Sequence, residues 1–244
     1  MGYGIGALND GDARINVLNV PVKLSLRPFS TDHWGLRLRL TGSFGIYRLE
    51  RLEDLTLDRV RTFIVGPGIE FQIPLSPKLV LIPYLDIGAG RHVERKQWAF
   101  VGTVGVRSEF VFPWHSVMVG IVPSLEYSTS RSVDSTLRAD LPSAEIVLDF
   151  RHPLWFHLGR SKLDVGLYFR PAYSVADVNF EPSPEDPRST ITEFEGGVSV
   201  GSCPPLRLWF IPLPRFSVGY RWSNAGISGV RVTLGDRLLR CQTR

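Results

Sequence analysis

Residues 34–47 read W-G-L-R-L-R-L-T-G-S-F-G-I-Y, and the reading of this stretch decides the fold. Trp34, Leu36, Leu38, Leu40, Phe44 and Ile46 hold one phase of a period-two pattern, while Arg37, Arg39, Thr41, Ser43 and Tyr47 hold the other. Successive side chains of a β-strand point to opposite faces. One face of this segment is therefore apolar throughout, and the other carries two arginines and several hydroxyls.

The same alternation recurs along the chain. Trp98, Phe100, Val104, Val106, Phe110 and Phe112 oppose Thr103, Arg107 and Glu109. Leu163, Val165, Leu167, Phe169, Tyr173 and Val175 oppose Asp164, Tyr168 and Arg170, and Phe216, Val218, Tyr220 and Trp222 oppose Arg215, Ser217 and Arg221. Twelve strands are expected, at about 2–8, 12–27, 34–48, 57–73, 78–92, 98–112, 115–129, 139–151, 161–178, 190–202, 213–222 and 226–235. Most exceed the ~5 to 6 residues of an ordinary soluble strand and reach the ~9 to 11 that cross a bilayer.

A soluble sandwich also alternates, with its apolar face turned to the core. Two features favour a membrane barrel instead. Aromatic residues gather near strand ends: Trp34, Phe112, Trp114 and Phe216 near one rim, and Trp98, Tyr127, Tyr173 and Trp222 near the other. That distribution matches the two interfacial girdles of a transmembrane barrel. Connections near 28–33, 74–77 and 113–114 are compact and proline-bearing, whereas 49–56, 130–138 and 179–189 are longer and charged. Short periplasmic turns and long outer loops produce this asymmetry. Segments 152–160 and 203–212 are expected to be longer connections that break it, with Trp155 and Trp209 at the inner interface.

Composition agrees with one large β domain in 244 residues: a barrel over about 2–235 and a short tail at 236–244. The net charge of +4 from 28 basic and 24 acidic residues is too balanced for a nucleic-acid binder. The basic residues are mostly arginine. That bias suits charges inside a lumen or facing phosphorylated lipid, and a GC-rich genome produces it equally well. No apolar run approaches the ~18 to 20 residues of a spanning helix. Residues 1–12 lack the pattern of a signal peptide, so a removed leader is expected, because a barrel must be exported. Cys203 and Cys241 fit no zinc spacing, and their pairing stays open.

W-G-L-R-L-R-L at 34–40, V-G-P-G-I-E-F-Q-I-P-L-S at 65–76, I-P-Y-L-D-I-G-A-G-R at 82–91, G-V-R-S-E-F at 105–110 and D-V-G-L-Y at 164–168 resemble the solitary outer-membrane autotransporter-like β-barrel family. The resemblance implies an autotransporter-translocator-like barrel in a Gram-negative outer membrane, without a passenger and without transferable catalytic residues. One departure is the chain end, where Gly235 to Arg244 follow the alternating Gly229–Leu234.

If the polar phase points inward, Arg37, Arg39, Arg107, Arg170 and Arg221 share a lumen with Glu70, Asp86, Glu109, Glu126, Glu145, Asp149, Asp164, Glu193 and Glu195. Such charges either line a narrow porin-like channel or pair and plug it. Both outcomes fit the sequence, since pairing depends on strand stagger. A lipid-acting hydrolase is the alternative. However, no serine lies two residues after His33, His92, His115, His152 or His157. The acids and histidine of the outer loops (Asp54, Asp58, His92, Glu94, Asp134, Asp140) are scattered and not spaced as metal ligands. A soluble ligand-binding barrel is the third reading. The expectation is a non-enzymatic, monomeric outer-membrane barrel without cofactor or metal, with periplasmic termini. Its expected partners are outer-membrane lipid, lipopolysaccharide and the barrel-assembly machinery, and no nucleic acid.

Overall fold

The alternating segments form strands that hydrogen-bond edge to edge until no edge remains. The computed structural model describes residues 3–10, 13–49, 60–92, 97–133, 138–159, 161–178, 189–208, 211–224 and 226–234. Twelve strands run in chain order: β1 (Tyr3–Asp10), β2 (Ala13–Arg27), β3 (Gly35–Leu49), β4 (Val60–Ser76), β5 (Leu79–His92), β6 (Gln97–Trp114), β7 (Val117–Ser132), β8 (Arg138–Leu158), β9 (Ser161–Val178), β10 (Ser189–Leu208), β11 (Ile211–Ser223) and β12 (Ser228–Leu234). Each pairs antiparallel with the next, and β1 pairs with β12 from Tyr3↔Leu234 to Asn9↔Ser228, so the sheet closes into a barrel. Closure removes the unpaired backbone edge that an open sheet would present.

An even number of strands brings both ends of the sheet to one end of the barrel, called here the terminal end. The tight connections at 77–78 and 115–116 lie there. His115 adopts φ 54° in the second of these, a conformation suited to a two-residue hairpin turn. Strands β3 and β9 end, and β4 and β10 begin, at the opposite end, called here the loop end.

The structure corrects two expected connections. Strand β8 continues to Leu158, β10 continues to Leu208, and β11 begins at Ile211, so segments 152–160 and 203–212 are mostly strand. The ladders shift register between Pro153 and His157 and between Gly201 and Leu206. A proline cannot donate a ladder hydrogen bond, and bulges absorb it. The bulges break the alternation and hide these strand ends from a pattern reading. Among the described residues β12 is the last strand, and positions 235–244 lie outside them.

Burial is inverted relative to a soluble protein. Leu167 and Ile87 are 63% and 60% exposed on the outside, whereas Arg39, Glu70 and Asp149 are 3%, 0% and 1% exposed inside. The outward phase from Leu36 to Phe44, Val65 to Leu75, Leu79 to Ala89, Trp98 to Trp114, Val117 to Tyr127 and Leu163 to Val175 contains no charged residue. This apolar band is the surface that a bilayer core requires. Among the described residues no helix is long and apolar enough to cross a membrane.

The barrel lumen as candidate functional site

The inward phase converges on a lumen filled largely by ion pairs. On the β3–β6 side Glu70 is the hub. Arg37 Nη1 donates to its Oε1 at 3.3 Å, and Arg107 Nη2 to its Oε2 at 3.2 Å. Arg39 pairs with Asp86 at 3.2 Å and lies 4.8 Å from the centre of the Tyr84 ring. Glu109 stands 3.8 Å from Arg107 Nε.

On the β8–β12 side Glu195 is the hub. Arg170 and Arg231 donate to its Oε2 at 3.5 and 3.3 Å, and the Tyr168 hydroxyl donates to Oε1 at 2.9 Å. Arg170 also pairs with Glu145, Arg221 with Glu193, and Arg215 with Asp164. Arg151 donates twice to Asp149 Oδ2, at 2.9 and 2.7 Å. Burying these charges is tolerable because each acquires a partner of opposite sign.

Two tyrosines act as cross-strand struts over glycines. A Cβ on Gly105 would sit 2.5 Å from the Tyr84 ring, so glycine lets that side chain cross β6 and donate to Glu126 of β7 at 2.6 Å. A Cβ on Gly197 would sit 2.6 Å from the Tyr168 ring, and one on Gly219 would clash with its hydroxyl. Here the missing side chains make room for an aromatic plate, as glycine kinks do in curved sheets.

Between the two sides lie inward aliphatics that the polar-phase reading does not anticipate. Val111, Val122 and Val147 form a buried cluster against Met118, and Val80 and Ile82 are buried nearby on β5. A cavity of 370 Å³ remains, bordered by Tyr84, Arg107, Glu126, Tyr168, Arg170 and Arg231.

All fourteen lumen-facing charges named from the sequence lie on the inward phase, and the contacts above join every one except Glu126 into ion pairs. Glu126 instead accepts from Tyr84 and from Ser128. Lys23, Arg151, Arg215 and Arg231 also face inward; Arg215 and Arg151 share the polar phase of their strands, but none of the four is in the lumen set drawn from the sequence. Their signal was the same alternation, for instance Arg231 in Gly229-Val-Arg-Val-Thr-Leu234.

Of the named aromatics, Trp34, Trp98, Trp114, Tyr127, Tyr173, Phe216 and Trp222 are exposed on the outside, Phe112 is half-buried, and Trp155 is 89% exposed beside the β8 bulge. Trp209 lies outside the described residues, as do Asp54, Asp58, Glu94 and Asp134. His33, His115, His152 and His157 are all exposed. Among the described residues no three His, Cys, Asp or Glu side chains converge on a metal position. Cys203 is disulfide-bonded. The chain's second cysteine, Cys241, lies outside the described residues.

No family model matches the sequence, and no curated protein matches it. Solved structures do resemble the fold. LpxR from Salmonella typhimurium aligns at TM-score 0.53 and 13% identity, covering 97% of this chain and 100% of that one. The beta domain of the Bordetella autotransporter BrkA aligns at TM-score 0.55 and 9% identity, covering 96% and 98%. Identities this low speak for architecture alone. The chain has the fold of a twelve-stranded outer-membrane β-barrel.

Proposed function

We propose that this protein is a monomeric, non-enzymatic outer-membrane barrel, structural or translocator-like, with a lumen closed to bulk flow. One observation carries the reading: inward charges neutralise each other across strands while aliphatic side chains fill the space between β5 and β8. Pairing leaves few uncompensated charges to draw an ion inward, and the buried valines of β6, β7 and β8 narrow the lumen beside them. The tight turns at the terminal end support periplasmic termini. The resemblance to the solitary autotransporter-like family agrees with this assignment. The barrel-assembly machinery, outer-membrane lipid and lipopolysaccharide are the partners such a protein meets.

The cavity of 370 Å³ favours a second reading, a narrow polar channel. Conductance across a planar lipid bilayer separates the two. Protein shown to be inserted should give no steady single-channel steps. Steady steps whose ion selectivity changes in Arg39→Glu would replace the closed barrel with the channel.

A further inference from the structure

Near the loop end the outward phase changes character over one arc of the wall. Arg91 of β5, Arg131 of β7 and Arg138 of β8 are exposed there, above the apolar band. Strand register brings them together: Arg91 lies opposite Trp98, Phe100 opposite Arg131, and Arg131 directly opposite Arg138. The Arg91 guanidinium sits 5.5 Å from the centre of the Trp98 ring. Among the described residues Asp140 is the acid at this patch. It is taken up by Arg138, 2.6 Å away, and by the Tyr127 hydroxyl, which donates at 2.9 Å.

Among the described residues Arg131 has no carboxylate of its own, and it faces a second arginine across the ladder. Like charges directly opposite on neighbouring strands repel each other. An anion supplied from outside the protein would relieve that repulsion. Guanidinium groups bind phosphate through paired, charge-assisted hydrogen bonds. The height matters as much as the charge. The arginines stand at the level of Trp98 and just beyond Tyr127, the level at which amphipathic aromatics meet lipid headgroups.

We infer that Arg91, Arg131 and Arg138 form a docking site for the phosphate of a membrane lipid headgroup on the outer wall of the barrel. The inference rests on the outer-membrane reading proposed above. It is distinct from the lumen, because these side chains point away from it.

Native mass spectrometry of the full chain in a neutral detergent tests the site, with bis-phosphorylated lipid A, uncharged diacylglycerol and inorganic phosphate as probes. Lipid A should be retained in preference to diacylglycerol, and inorganic phosphate at equal concentration should not displace it. Retention should fall by about fivefold per arginine removed in Arg131→Gln/Arg138→Gln. The Lys/Lys pair should restore part of it, because lysine keeps the charge and loses the fork. Equal retention of lipid A by the Gln pair would overturn the inference, as would equal retention of diacylglycerol by the wild type. Displacement by inorganic phosphate would reduce the site to a simple anion site.

Heat-modifiable gel mobility reports folding of each variant. If the Gln pair does not fold, Arg91→Gln alone carries the same comparison. Failure of the wild type to insert into vesicles would strike the membrane reading itself. Insertion without any preference for the phosphorylated lipid would strike only the docking site.

Discussion

On the β3–β6 side of the lumen Glu70 is fully enclosed and is held by Arg37 and Arg107; on the opposite wall Glu195, almost as buried, is held by Arg170, Arg231 and the Tyr168 hydroxyl. Each carboxylate is a hub for two arginines, one from the adjacent strand and one from two strands away. They differ in what their partners can fall back on. Arg170 also has Glu145, so loss of Glu195 does not leave it alone, whereas Arg231 would lose its one described ion partner. Arg37 has Glu70 as its one described ion partner, and the alternative carboxylate for Arg107 is 3.8 Å away. What burial demands of a charge is a partner, and the cost of removing one depends on how many remain.

The sharpest test of that contrast is a pair of isosteric neutralisations. Glu70→Gln should destabilise the barrel by about 3–5 kcal/mol, the usual cost of stranding one side of a buried ion pair. Glu195→Gln should cost clearly less. Urea unfolding in lipid vesicles, followed by tryptophan fluorescence, reads both. Equal losses would mean that the spare carboxylate at Arg170 contributes nothing.

A second test compares the two sides of one strand rather than the two sides of the lumen. Leu38 points to lipid and Arg39 to the interior. Leu38→Arg should cost about 2–4 kcal/mol and block membrane assembly, because it places a charge in the apolar band. Arg39→Leu should still insert. Fractionation of the expressed variants between membrane and aggregate distinguishes them, and the reverse outcome would mean that the inward and outward phases are exchanged.

The smallest effects are expected at the tyrosine struts. Tyr84→Phe removes a hydrogen bond to a charged acceptor, which contributes about 1.5–3 kcal/mol. Tyr168→Phe should cost less, because Glu195 keeps both arginines. Unfolding midpoints in the same vesicles rank the two, and a larger loss at Tyr168 would show that the hub depends on the hydroxyl more than on the guanidinium groups.

The alternation in Trp34–Tyr47 was sufficient to place Leu38 outside and Arg39 inside, because a period of two admits only two phases and one of them is charged. The partners of Arg39 were not legible. They depend on which residue of β5 comes within reach across β4, and that is a property of register and stagger rather than of local sequence. Leu79-Val-Leu-Ile82 shows a second limit. Both of its phases are apolar, so these four residues alone do not mark Val80 and Ile82 as inward; the phase is carried by Tyr84 and Asp86 further along β5, and what the pattern leaves out is that aliphatic side chains fill the lumen there. The extensions of β8 and β10 show a third limit, since their bulges interrupt the periodicity that reveals a strand.

The β1–β12 ladder joins Tyr3 to Leu234 through seven residue pairs, and it is the one seam that connects distant parts of the sequence. Every other ladder forms between neighbours along the chain and can zip from its own hairpin. The seam cannot. It acts as the clasp of a bracelet whose links are already assembled, and its loop-closure entropy falls due only when the ring is ready to shut. Until then β1 and β12 are two unsatisfied edges held at the same rim. A helper that templates one of those edges would need to grip only this short clasp, not the whole wall.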